Sequence, residues 1–178
     1  YPRAVRTPEF FEQQDPLWLS YFMTDVFREA AYLGLPFRWP RPDPVQRSPD
    51  QGYRMVQPYI HRLTHLGVAA AERGRGLQFL DAISRTIWGG EVDNWHEGDH
   101  LARAAERAGL GFAGMAAAID ADPAHFVAVV EENQVAQRAA GHWGVPMMVF
   151  GGEAFFGQDR FDQLKWRMGQ QGLAPRGR

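Results

Sequence analysis

The order of apolar and polar positions divides the chain into a long helical stretch and a short β-rich end. Positions 15–33 read as a helix: Asp15 supplies a cap, Pro16 takes the first helical position, and Gly34 stops it. Five prolines between 35 and 52 (Pro36, Pro40, Pro42, Pro44 and Pro49) exclude a regular helix and predict an ordered connecting loop. Positions 57–73 are helical again, opened by Pro58, with Ile60, Leu63, Gly67 and Ala70 sharing a face. The next helix covers 77–88, where Leu77, Leu80, Ile83, Ile87 and Trp88 recur at three- and four-residue spacing. Two short helices at 99–108 and 112–119 are bounded by glycine, and Asp122-Pro123 opens a long one running to about Ala140.

The pattern changes at Gly144. Two short apolar runs, 146–150 and 153–156, flank Gly151-Gly152 and predict a β-hairpin. A final helix over 159–170 is expected to bury Phe161, Leu164 and Met168, with a frayed tail after Gly172. Strands this apolar want more sheet beside them, because a lone two-stranded hairpin is marginal in water. Either residues 1–7 complete it, or strands missing from this chain do.

Composition narrows the chemistry. The 178 residues are 45% hydrophobic and 22% charged, which fits a globular domain with a real core. A net charge of −2, with Lys and Arg scattered, gives no footprint for nucleic acid. No apolar run approaches a membrane span, and position 1 shows no leader pattern. Cysteine is absent, which removes disulfides, thiolate nucleophiles, cysteine metal sites and dithiol redox chemistry from the visible chain. Nothing calls for an oxidising compartment, so a cytoplasmic location is expected.

Gly144-Val145-Pro146, the hairpin, then Phe155-Phe156-Gly157-Gln158-Asp159-Arg160 and an amphipathic helix resemble the end of a thioredoxin-like domain. The sequence is similar to the 2-hydroxychromene-2-carboxylate isomerases and kappa-class glutathione transferases of the DsbA-like group. Leu33-Gly34-Leu35-Pro36-Phe37, the proline-rich loop and the run of helices match that family's inserted helical domain. The resemblance implies an α/β, thioredoxin-like fold with a large all-helical insertion. It assigns 1–142 to the mostly helical inserted domain and 143–178 to the terminal hairpin and helix. The family's first β-α-β unit is then missing from the visible chain.

The same resemblance implies a cis Val145–Pro146 bond that exposes the backbone of Val145 at a sheet edge. The cysteinyl unit of glutathione could pair with that edge as a short extra strand. Gln158 and Asp159, at the start of the last helix, would hold the γ-glutamyl end, Asp159 taking its ammonium and the helix N-terminus its carboxylate. Read from the residues alone, Asp159 is equally an ordinary N-cap and Pro146 an ordinary strand-opening proline. His142 and Trp143 stand next to the motif and are candidates for walling an aromatic substrate pocket, with core packing as the alternative. The implied activity is glutathione-dependent cis–trans isomerisation of an aromatic-degradation intermediate, by a homodimer. The alternatives are a kappa-like glutathione transferase and a non-catalytic thioredoxin-like binding module.

The family's catalytic serine follows its first strand in a Ser-Pro-aromatic motif. Ser20 and Ser84 fall inside predicted helices, and Ser48-Pro49 precedes Asp50 in the proline-rich loop with no strand before it. None matches, so no catalytic residue is assigned. His61 and His65 stand four apart on a helix, as metal ligands can, but lack a third ligand. Glu91, Asp93, His96, Glu97, Asp99 and His100 are read as an exposed loop leading into a helix capped by Asp99. No metal site is expected.

Overall fold

The computed structural model describes residues 15–48, 52–53 and 57–174. The chain divides into two compact units, Tyr1–Phe126 and Val127–Arg178.

The first unit is helical. α1 spans Pro16–Tyr32, and Asp15 caps it as expected, its Oδ1 accepting the Leu17 N–H at 2.8 Å. The proline-rich loop is ordered by polar contacts. Trp39 Nε1 donates to Asp43 Oδ2 at 2.9 Å, and Trp95 Nε1 donates to the Pro42 carbonyl at 2.7 Å. Within this loop lies a ladder that the sequence reading missed: β1 (Arg47–Ser48) pairs antiparallel with β2 (Gly52–Tyr53). Ser48 therefore sits in a strand, while Pro49 and Asp50 lie outside the described residues. The amide of buried Gln57 accepts from the Gln46 N–H at 2.8 Å and donates to the Gln46 carbonyl at 2.9 Å.

α2 (Ile60–Glu72), α3 (Gly76–Trp88), α4 (His100–Arg107) and α5 (Phe112–Ala121) form the core of this unit. α3 packs against α2 and α4, and α5 against both of these. Ala69, Ala70, Ala82, Ala104 and Ala105 are buried at these crossings, where small side chains let the helices approach, and Leu66, Phe79 and Met115 fill the space between. The buried faces differ from those expected. In α2 the burial centres on Leu66, Val68, Ala69 and Ala70, not on Ile60, Leu63 and Gly67. In α3, Phe79, Ala82, Ile83, Thr86 and Ile87 are buried, whereas Leu77 and Leu80 face solvent. Trp95, in the segment read as an exposed loop, is 1% exposed.

α6 (Pro123–Ala139) begins in the first unit, where Phe126 is buried, and continues into the second. There β3 (Met147–Phe150) and β4 (Glu153–Phe156) form the expected hairpin, in register Met147↔Phe156 to Phe150↔Glu153. Gly151 and Gly152 both have positive φ, at 58° and 82°, as a two-residue hairpin turn of matching twist requires. A 3₁₀ turn, Gln158–Arg160, leads into α7 (Phe161–Gln170). α7 packs on β3, buries Leu164, and is tied to β4 by the Arg167–Glu153 ion pair at 3.0 Å. Phe161, expected in the core, is 55% exposed. The tail is held further than expected: Leu173 N–H bonds to the Met168 carbonyl and Gly172 N–H to that of Gly169, closing α7 in a Schellman motif. Residues 175–178, like residues 1–7 considered for completing the sheet, lie outside the described residues. Among the described residues the strands are β1 to β4, in two separate two-stranded ladders.

Candidate functional site

One end of the β3–β4 hairpin collects the residues that the sequence singled out. The Val145–Pro146 peptide is cis. Pro146, one residue before β3, lies opposite Gly157, one residue after β4, and its carbonyl accepts the Gly157 N–H at 3.0 Å. This bond carries the ladder one pair beyond Met147↔Phe156 and brings Gln158 and Asp159 to the same end as Val145 and Pro146. Val145 is 68% exposed, and neither its N–H nor its carbonyl has a hydrogen-bond partner among the described residues. An exposed donor and acceptor without partners are what an added peptide strand uses.

The approach to Val145 is fixed by contacts that sequence reasoning missed. Gly144 N–H donates to His142 Nδ1 at 2.8 Å, and Gln137 Nε2 donates to the Gly144 carbonyl at 2.6 Å. With Nδ1 accepting, the neutral His142 ring carries its proton on Nε2. Phe156 lies over Gly144 so closely that a Cβ there would overlap the ring. The His142 ring stacks on both Phe156, with centroids 3.9 Å apart, and Trp143, with centroids 5.5 Å apart. His142 and Trp143 thus belong to an aromatic stack that secures the Gly144 turn, with Trp143 still exposed at its edge. The glycine in the motif was visible in the sequence; its reason, the ring above it, was not.

Asp159 is not the cap of the last helix. The first residue before α7 is Arg160, with no side-chain capping bond, and Asp159 lies in the 3₁₀ turn. Its Oδ1 lies close over Gly157, whose φ of 98° is the conformation that calls for glycine there. Its Oδ2 accepts from Arg160 Nη1 at 2.9 Å, and the carboxylate remains largely in solvent. Asp162, in the first turn of α7, pairs with Lys165 at 3.5 Å.

The other candidates disperse. His65 packs its ring 5.9 Å from that of Phe126, and burial, with His61 and Arg62 beside it, holds its pKa below the ordinary 6.5. Asp93 pairs with Arg38, and Asp99 gives its carboxylate to Arg103 instead of capping α4. His96 packs against Tyr59 and Trp95, its Nε2 3.5 Å from Glu97. Among the described residues no group of three or more His, Asp or Glu side chains could hold a metal ion. Ser20 Oγ donates to the Leu17 carbonyl within α1. Ser84 lies on α3, in the first unit, and the sequence of the second unit, Val127–Arg178, contains no serine.

The hairpin with α7 stacked on it, an exposed backbone edge and a helical region before it define a thioredoxin-like fold with a helical insertion. The model of the DSBA-like thioredoxin domain matches residues 5–169, and the chain belongs to that family. No curated protein matches the sequence. A solved structure of selenomethionyl 2-hydroxychromene-2-carboxylate isomerase is similar, with a TM-score of 0.60 and 19% identity. The match covers 86% of this chain and 66% of that one, so the chain spans just under two thirds of the isomerase's length.

Proposed function

We propose that this protein is a glutathione-dependent cis–trans isomerase of the 2-hydroxychromene-2-carboxylate isomerase type, acting on an aromatic-degradation intermediate. The observation that carries the reading is the unpaired backbone of Val145 at the same hairpin end as Gln158 and Asp159. In it, Val145 N–H and C=O pair with the cysteinyl unit of glutathione. Asp159, exposed beside Gln158, takes the γ-glutamyl ammonium, and the backbone N–H groups opening α7 favour its carboxylate. Bound glutathione supplies a thiolate whose reversible addition to an electrophilic carbon turns a double bond into a single one that can rotate. The chain's own share is orientation: the Gly144 clamp and the Phe156 ring fix the Val145 edge, which sets where the tripeptide lies.

Homodimerisation belongs to the same reading. The alanine-rich faces of α2 to α5 are spent inside the first unit, so the surface for it is sought on α1, which buries no residue and exposes Leu17, Leu19, Tyr21 and Phe27. Light scattering is expected to give twice the chain mass.

The test is titration with glutathione, followed by product analysis on a cis ring-cleavage substrate. Binding with release of unchanged glutathione and a trans product supports the isomerase. A stable glutathione conjugate points to a transferase, and absence of binding removes the reading.

A further inference from the structure

The first unit contains a cavity of about 680 Å³, within the size range of small-ligand sites. It lies between α3, α4 and the loop that follows α1, and every lining residue precedes Ala108. Leu35, Pro36, Phe37 and Trp88 supply an apolar wall, in which the Phe37 and Trp88 rings lie nearly parallel, 12° apart.

Its charged groups are not all spent. Arg85 is held by both oxygens of Asp81, at 2.9 and 3.0 Å, and Arg103 by Asp99. Arg107 has no carboxylate partner among the described residues; its Nη2 donates to the Thr86 hydroxyl at 2.6 Å and to the Ala82 carbonyl at 3.4 Å, and Thr86 is buried. That bond fixes the guanidinium at the cavity before any ligand arrives. Glu91 also lines the cavity and has no ion-pair or hydrogen-bond partner among the described residues. Ser84 and His100, likewise without partners there, add uncharged polar groups. They are not hydrogen-bonded to each other, so they do not form an activated nucleophile.

One unpaired cation, one unpaired carboxylate and an aromatic wall suit a ligand that carries both charges and a ring. We propose that this cavity binds an aromatic amino acid, with its carboxylate on Arg107, its ammonium on Glu91 and its ring against Phe37 and Trp88. Arg107 offers a planar fork suited to a carboxylate, and the wall rewards a large flat ring. Glu91 selects against a purely anionic ligand. The inference is independent of the glutathione reading, whose residues all follow Gly144.

Calorimetric titration of the intact chain with tryptophan, indole-3-propionate and tryptamine tests it, because the last two lack the ammonium and the carboxylate in turn. Tryptophan is expected to bind most tightly, each analogue losing roughly five-fold or more. Glu91→Gln should weaken tryptophan but not indole-3-propionate, whose binding should hold or improve, and Arg107→Gln should weaken tryptophan but not tryptamine. Asp159→Ala should leave tryptophan binding intact whether or not glutathione binds. No heat with tryptophan up to about 1 mM overturns the site. Indole-3-propionate binding as tightly as tryptophan overturns the role of Glu91 and the amino-acid assignment with it. Should Arg107→Gln fail to fold, the ligand series on the unaltered chain still decides.

Discussion

Gly144 gives its N–H to Nδ1 of His142 at 2.8 Å, two residues back in the chain. The bond makes His142 a local brace for the turn and leaves the neutral ring's proton on Nε2. Gly144 is caught a second time by Gln137 and a third time by the ring of Phe156 above it. The start of β3 is therefore set by three side chains that come from α6, the connecting segment and β4.

The first prediction concerns that glycine. Gly144→Ala places a methyl where the Phe156 ring lies, and overpacking of this kind typically costs ~1–3 kcal/mol. A lowered melting temperature is expected, and the double variant Gly144→Ala with Phe156→Ala should recover part of it. An unchanged melting curve for the single variant would show that the ring moves aside freely.

The second separates binding from stability. Asp159 makes no helix-capping bond, so Asp159→Ala should leave the melting temperature nearly unchanged. It should weaken glutathione by roughly ten- to a hundred-fold, the usual cost of a lost charged hydrogen bond. Asp162→Ala, which removes a 93% exposed carboxylate paired with Lys165, should do neither. Equal glutathione affinity in the two variants, measured by titration calorimetry, would remove Asp159 from the site.

Element positions were legible because glycine and proline punctuate them: α1, α6, the hairpin and α7 begin and end within a few residues of their expected limits. Which face each helix buries was less so. Leu77 and Leu80 keep helical spacing with Ile83 and Ile87, yet neighbouring helices chose the face of Phe79, Ala82 and Ile83. Asp99 and Asp159 had the right positions for caps, and an arginine took each carboxylate instead. At the candidate site, Val145, Pro146, Gln158 and Asp159 converge because β-pairing is a local rule. Gln137, Phe156 and the His142 brace escaped notice because their partners are set by packing that no spacing announces.

A third prediction follows from His65. Its pKa is lowered in the folded chain, first by burial and then by His61 and Arg62. The unfolded chain then binds the proton more readily, so stability should fall as pH drops below 6.5 and level off once the folded-state value is passed. His65→Gln should reduce that loss, seen as a smaller difference between denaturant midpoints at about pH 8 and about pH 5. An identical pH profile in the variant would assign the acid sensitivity to other groups.

A fourth concerns the support beneath Arg107. Thr86→Val keeps the shape of a buried side chain but deletes the hydroxyl that accepts from Arg107 and donates to the Ala82 carbonyl at 2.9 Å. Loss of these bonds should cost about 1–3 kcal/mol in denaturant unfolding. No loss of stability would mean that water replaces the hydroxyl without penalty.

The Gln57 amide has a consequence of a different kind. A strand that pairs with a neighbour always presents a second edge, and that edge invites a further strand, including one from another molecule. Gln57 satisfies both backbone groups of Gln46 with one amide, and both ends of the amide are consumed in doing so. The residue leading into β1 thus has both backbone groups satisfied within its own chain, and at Gln46 an added strand finds neither group free. Glutamate at position 57 would keep the outline but replace the donor with an oxygen, turning that seal into a repulsion against the Gln46 carbonyl.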